Sequence, residues 1–211
     1  MSKRCMWQGL TWAWLVVCLC APAPTLAGPP GRANATLPSA AEAAPVGADM
    51  KQLLTQMLGT PQLLGQAGFR YFGFSIYHAQ LWVGQRPSDA ALAWAQQPVV
   101  LSLQYQRDFK GEAIAQRSID EMRRHPAMRE ATQDAWLQML KAVLPDVREG
   151  DRLIGVYQPG QGLQMWHEAA QLRQVGTAPD PLMARVFMGI WLDPSTSAPE
   201  LRQRLLGIAQ P

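Results

Sequence analysis

From Gly68 to Gly84 the chain reads GFRYFGFSIYHAQLWVG, its densest run of aromatic and β-branched residues. Ser75, Tyr77, Ala79, Leu81 and Val83 alternate there with Phe74, Ile76, His78, Gln80 and Trp82. A period of two sends the sets to opposite faces of a strand. The first set is the more uniformly apolar and is expected to face covering helices, while the mixed second set suits a wetter face. Two polar groups stand in or beside this apolar ground: Arg70 and Tyr77. A guanidinium pairs bidentately with a carboxylate or polarises a carbonyl, and a phenol can donate to the same oxygen. Arg70 and Tyr77 are therefore the candidate ligand-binding residues. The competing reading is that Arg70 reaches solvent along its aliphatic stem while Tyr77 only packs. Gly73 interrupts the alternation, so sequence leaves open whether the two side chains converge.

The ends of the 211-residue chain read differently from its middle. Residues 1–27 have the form of a secretory signal: Lys3 and Arg4 at the start, an apolar stretch from Leu10 to Cys20, and a cleavable end at Thr25-Leu26-Ala27. Cleavage is expected after Ala27, and the apolar stretch is too short to span a bilayer. Residues 28–49, rich in Pro, Gly and Ala, read as a flexible spacer, and residues 50–211 as one domain. Cys5, Cys18 and Cys20 all fall in the leader, so the mature chain is expected to hold no disulfide, no thiol nucleophile and no thiolate metal ligand. Val17 and Leu19 precede the latter two, which argues against a lipid-modified cysteine. Of 19 basic residues against 16 acidic ones, Lys3 and Arg4 leave with the leader. The single surplus positive charge that remains is, as a net charge, too little to support binding to nucleic acid or to an anionic membrane.

Within the domain, Leu53, Leu54, Met57 and Leu58 have helical spacing, with Asp49 as the expected cap and Gly59 as the stop. A first strand is expected through Gln62 to Tyr71, a short helix over 89–96, and a strand in VVLSLQYQR with Val99, Leu101, Leu103 and Tyr105 on one face. Asp108 reads as the cap of an amphipathic helix over 112–124, and Pro126 as the start of another whose Met and Trp stripe is ordinary core. A hairpin over 152–168 turns at Pro159-Gly160-Gln161, and a short strand near 172–175 completes the sheet. Asp180 and Pro181 start a strongly apolar helix. Ser197-Ala198-Pro199-Glu200 reads as the capping box of the last helix. The order of elements gives an α+β domain: a large, mainly antiparallel sheet with helices layered on one face.

His78, His125 and His167 show no ligand spacing, so neither a metal nor any other cofactor is expected. No Gly-x-Ser-x-Gly elbow is present, and Gly155, Gly160 and Gly162 punctuate a hairpin rather than form a phosphate loop.

The block GFR followed by IYHAQLWVG, the Pro145-Asp146-Val147 turn with Gly150-Asp151, and the ending FMGIWLDPSTSAPELRQRLLG resemble the bacterial, exported branch of the chalcone isomerase-like family, over about Gln62 to Gly207. The resemblance implies an open-faced sandwich with a ligand cleft between sheet and helices, and a periplasmic location. Its plant isomerases close a flavonoid ring, and related non-catalytic members hold a fatty acid with a strand Arg and a nearby Tyr. Arg70 matches that Arg in its Gly-x-Arg context. Tyr77 stands where the isomerases carry Thr and the fatty-acid binders Tyr. The isomerases also need a helix Asn, whereas the only asparagine here is Asn34, in the spacer, which argues against isomerase catalysis.

The reading that follows is an exported, cofactor-free binding protein for an apolar carboxylic-acid or phenolic small molecule, such as a fatty or aromatic acid. Two alternatives are an isomerase or intramolecular lyase acting on a small phenolic or enone substrate, and a structural module whose cleft is filled by its own side chains. Export makes a direct prediction. N-terminal sequencing of secreted protein should begin at Gly28, and retention of Cys18 or Cys20 would refute the assignment.

Overall fold

The structure, a computed structural model, describes residues 47–208. The leader with its three cysteines, the cleavage site after Ala27 and the spacer through residue 46 lie outside the described residues.

Six strands, β1 (Gln62–Tyr71), β2 (Phe74–Val83), β3 (Val99–Tyr105), β4 (Arg152–Tyr157), β5 (Leu163–Glu168) and β6 (Leu172–Ala178), form one sheet in chain order. Every neighbouring pair is antiparallel. The alternation in β2 sorts as expected: Tyr77, Ala79, Leu81 and Val83 join the main core. Val99, Leu101, Leu103 and Tyr105 extend the same face along β3, and Leu153 and Tyr157 along β4. Four helices cover this face: α3 (Gly111–Met122), α4 (Glu130–Val143), α5 (Pro181–Leu192) and α6 (Pro199–Leu206). Helix α6 comes so close to β1 that a Cβ at Gly65 would stand 2.0 Å from the Arg204 carbonyl oxygen. The absence of a side chain at Gly65 is what permits that packing.

Helix α1 (Ala48–Leu58) lies on the other face. Its Met50, Leu53 and Leu54 pack with Val100, Ile154, Val156 and the partly buried Trp82 and Trp166. Eleven residues are too few for an isolated helix to persist. The three buried side chains, at about 2 kcal/mol each, hold α1 on the sheet. The second helix in sequence order, the short α2 (Ala90–Ala93), runs into a 3-10 turn at Trp94–Gln96. The Tyr157 hydroxyl ties that turn to the sheet by donating to the Ala95 carbonyl over 3.0 Å.

Beside α1 the second face carries a polar row across four strands: His78, Gln104, Arg152 and Glu168 are successive register partners. Arg152 is buried, and its Nη1 donates to Glu168 Oε2 at 2.9 Å. Gln80 donates to Gln66 at 3.2 Å in the adjacent row. Burial, reinforced by the Arg152 guanidinium, pushes the His78 imidazole below its usual value.

Helix starts depart from the local sequence signals in three places. Asp49 lies inside the first turn of α1, whose cap is Gly47. Asp108 does not cap α3; its Oδ1 accepts from the Glu149 amide at 2.9 Å. The first-turn amide of Gly111 is instead satisfied by Asp146 Oδ1, also at 2.9 Å. Ser197 makes no cap either: the residue before α6 is Ala198, and its amide donates to Thr196 Oγ1 at 3.1 Å. A side chain can serve an orphan amide from anywhere in the fold, so a local cap motif is only one way to satisfy it. By contrast Asp180 caps α5 as expected, accepting from the Leu182 and Met183 amides while its Oδ2 accepts from Trp136 Nε1 at 2.9 Å.

Asp180→Ala should therefore cost about 2–3 kcal/mol, the cap plus a buried indole N–H left unpaired. Ser197→Ala should change stability by less than about 0.5 kcal/mol. Urea unfolding of both variants checks the contrast. His78 supplies a pH test. Its folded value is depressed, so the unfolded chain takes the proton first, and stability is lost as pH falls below the ordinary imidazole value of about 6.5. Melting temperatures of His78→Gln measured across that range should decline less on acidification than those of the parent.

Candidate ligand-binding site

Pairing of the first three strands places Phe69 opposite Tyr77, and Tyr77 opposite Tyr105. All three rings lie on the helix-covered face. Phe69 stacks on Tyr77 with centroids 5.2 Å apart, Tyr77 meets Tyr105 edge-on at 6.0 Å, and Phe109 continues the row 5.6 Å from Tyr105. Helix α5 supplies Trp191 and Phe187, whose rings are 5.4 Å apart. Trp191 Nε1 donates to the Tyr77 hydroxyl oxygen over 3.0 Å.

Burial pushes the Tyr77 phenol well above its usual range, against the opposing pull of the Trp191 hydrogen bond. Glu121 adds to the rise and Arg117 works against it. These two residues of α3 form an i,i+4 ion pair with each other. Tyr105 is pushed up by burial in the same way, with Tyr77 adding to it. Both phenols stay neutral donors at any pH near neutrality. The Tyr77 oxygen already accepts from Trp191, and its own proton has no acceptor among the described residues. An unspent donor of this kind, half-buried against the core, can be given to a carboxylate or carbonyl oxygen.

Arg70 is exposed near the tip of the β1–β2 hairpin, opposite Ser75 in register. Its Nη2 donates to the Gly73 carbonyl at 2.7 Å. The structure thus gives Arg70 and Tyr77 separate partners, and the guanidinium whose charge reaches the Tyr77 phenol is that of Arg117. Sequence reasoning named neither Tyr105 nor Trp191 as site residues. Tyr105 could have been found, because its strand alternation puts it on the Tyr77 face. Trp191 had no local signal, since its partner is 114 positions away.

A second polar constellation lies between α3, α5 and the loop after α5. His125 Nε2 stands 3.0 Å from Asp193 Oδ2, and His125 Nδ1 accepts from the Ala127 amide at 3.1 Å. Nδ1 is thus occupied by the Ala127 amide, while Nε2 faces the Asp193 carboxylate. A shallow surface dimple here, too small to enclose a water molecule, is bounded by Glu121, Met122, His125, Val186, Gly189 and Ile190, and includes neither Arg70 nor Tyr77. Among the described residues no three His, Asp or Glu side chains gather as a metal site.

A crystal structure of a fatty-acid binding protein from Arabidopsis thaliana shares the fold, with a TM-score of 0.51 and 12% identity, over 70% of this chain and 87% of that one. An uncharacterised protein of Haemophilus influenzae is 23% identical over 146 residues, which are 69% of this chain and 68% of that protein. The family model for chalcone isomerase-like proteins matches residues 47–207. The order of strands, the helical cover and this match agree, and the chain belongs to the chalcone isomerase-like family.

Proposed function

We propose that the protein is an exported, cofactor-free binder of an apolar carboxylic acid, fatty or aromatic, whose head group is received at Tyr77. The observation that carries this reading is the Tyr77 phenol: half-buried against the core, neutral, already accepting from Trp191 and with its own proton unspent among the described residues. The aromatic row of Phe69, Tyr105 and Phe109 would line the ligand's apolar body. Arg70 supplies the charge that pairs with the carboxylate, giving up the Gly73 carbonyl to do so. The fatty-acid binding protein of like fold supports a ligand of this class. Delivery outside the cytoplasm rests on the leader-like first 27 residues and on cleavage after Ala27, with the bacterial periplasm as destination. A second reading, a module whose cleft is filled by its own side chains, is favoured by the close ring packing around Tyr77.

Titration with a long-chain fatty acid and its methyl ester separates the two. Tyr77→Phe should weaken acid binding by about 1 kcal/mol and Arg70→Ala by about 2 kcal/mol. Arg70→Lys should fall between Arg70→Ala and the parent, since an ammonium cannot reproduce a bidentate fork. The ester should be indifferent to the Arg change. Equal losses for acid and ester in Arg70→Ala would make Arg70 structural, and failure of the parent protein to bind either would favour the filled cleft.

A further inference from the structure

The β1–β2 hairpin ends in exposed rings that neither the core nor the ligand site uses, although the neighbouring Arg70 is shared with that site. Among the described residues four large hydrophobic side chains are exposed, and three of them sit together here: Tyr71 at 51%, Phe72 at 84% and Phe74 at 58%. Clustering of this kind marks an interaction site, where single exposed apolar residues do not. The two-residue loop, Phe72-Gly73, has φ of 46° and 82°, the left-handed pair that a type I′ turn requires. Glycine suits its position. Phe72 does not, because bulky side chains rarely adopt positive φ and Asn or Asp would be preferred there. Folding gains little from the ring in return, since its one aromatic contact is an edge-on meeting with Tyr71 at 4.5 Å. A strained, exposed aromatic at a hairpin tip points to a role outside the fold.

Cations surround the tip. The Arg107 guanidinium lies 4.6 Å from the centroid of the Phe74 ring, and Arg117 lies 6.0 Å from that of Tyr71. Arg70 donates into the turn itself. Arg117 is paired with Glu121, but neither Arg70 nor Arg107 has a carboxylate partner among the described residues. Asp108, next in sequence to Arg107, has its carboxylate turned to the Glu149 amide. Projecting aromatic rings backed by guanidinium groups match the interface of a lipid bilayer, where rings settle at headgroup depth and cations meet anionic headgroups.

We propose that the Tyr71–Phe74 hairpin tip is a docking element for anionic lipid membranes, with Phe72 as its leading residue and Arg107 as an electrostatic contact. The proposal does not depend on whether the core carries a ligand. Its test is flotation of the full chain with vesicles of equimolar phosphatidylglycerol and phosphatidylcholine, and with vesicles of phosphatidylcholine alone. The parent protein should float with the anionic vesicles, and added salt should reduce the bound fraction. Phe72→Asn creates the Asn-Gly pair that the turn prefers, so this variant should melt no lower than the parent while binding the vesicles about tenfold more weakly. Arg107→Gln should weaken binding to the anionic vesicles alone. Absence of vesicle binding by the parent, or undiminished binding by Phe72→Asn, would overturn the proposal. So would gel filtration showing a dimer of the parent that Phe72→Asn dissolves, since the tip would then be covered by a second copy of this chain.

Discussion

Register is the constraint on which everything else in this domain rests. In a meander of six antiparallel strands each side chain keeps its face only while its strand keeps its pairing. Tyr77 lies opposite Tyr105, Leu81 opposite Leu101, and Leu101 opposite Gly155. A slip of one residue in β2 would turn His78, Gln80 and Trp82 toward the helices and expel Tyr77, Ala79, Leu81 and Val83 from the core. Such a slip would bury groups that need hydrogen-bond partners and expose apolar surface, and both changes oppose it. The irregularities that do occur lie in the two outer pairings, skipping Leu64 of β1 and Ile76 of β2 in one and Val175 of β6 in the other.

The turn containing Pro145-Asp146-Val147 and Gly150-Asp151 works as a latch, and this explains motif residues that look chemical in sequence. Asp146 holds the first amide of α3 and the Lys110 ammonium, while Val147 forms an isolated bridge with Phe109. Asp151 accepts from the Arg148 amide and stands 3.0 Å from His167 Nε2. These carboxylates fasten the beginning of α3 to the entry of β4, and their work is positional.

Much of the fold was legible because its signals are local. Alternation in β2 and β3 assigned the buried faces, and Asp180-Pro181 marked the start of α5. The misread helix starts at Asp49, Asp108 and Ser197 share one cause: a short polar residue before a helix is a local sign, whereas the partner can come from a distant loop, as Asp146 does for Gly111. Likewise α4 begins at Glu130 rather than at Pro126, because His125 through Met128 form a turn, with the Met128 amide donating to the His125 carbonyl. The side of the sheet that α1 covers was not legible, since an apolar stripe does not say which surface it will meet. Within the candidate site, face and burial of Tyr77 followed from alternation, but its indole partner came from the far end of the chain.

Chain-order pairing also bears on how the sheet assembles. Five antiparallel junctions join strands that are consecutive in sequence, so most pairings close over short connections and relative contact order stays low for so wide a sheet. The exception is the junction of β3 with β4, where residues 106–151 intervene with both α3 and α4. Closure entropy grows with the length of the connection, and within the sheet it is greatest there. The Phe109–Val147 bridge and the Lys110–Asp146 pair join the two ends of that excursion near its base. They shorten the loop that remains to be closed, and α3 and α4 can settle on the sheet as a hairpin whose stem is already tied.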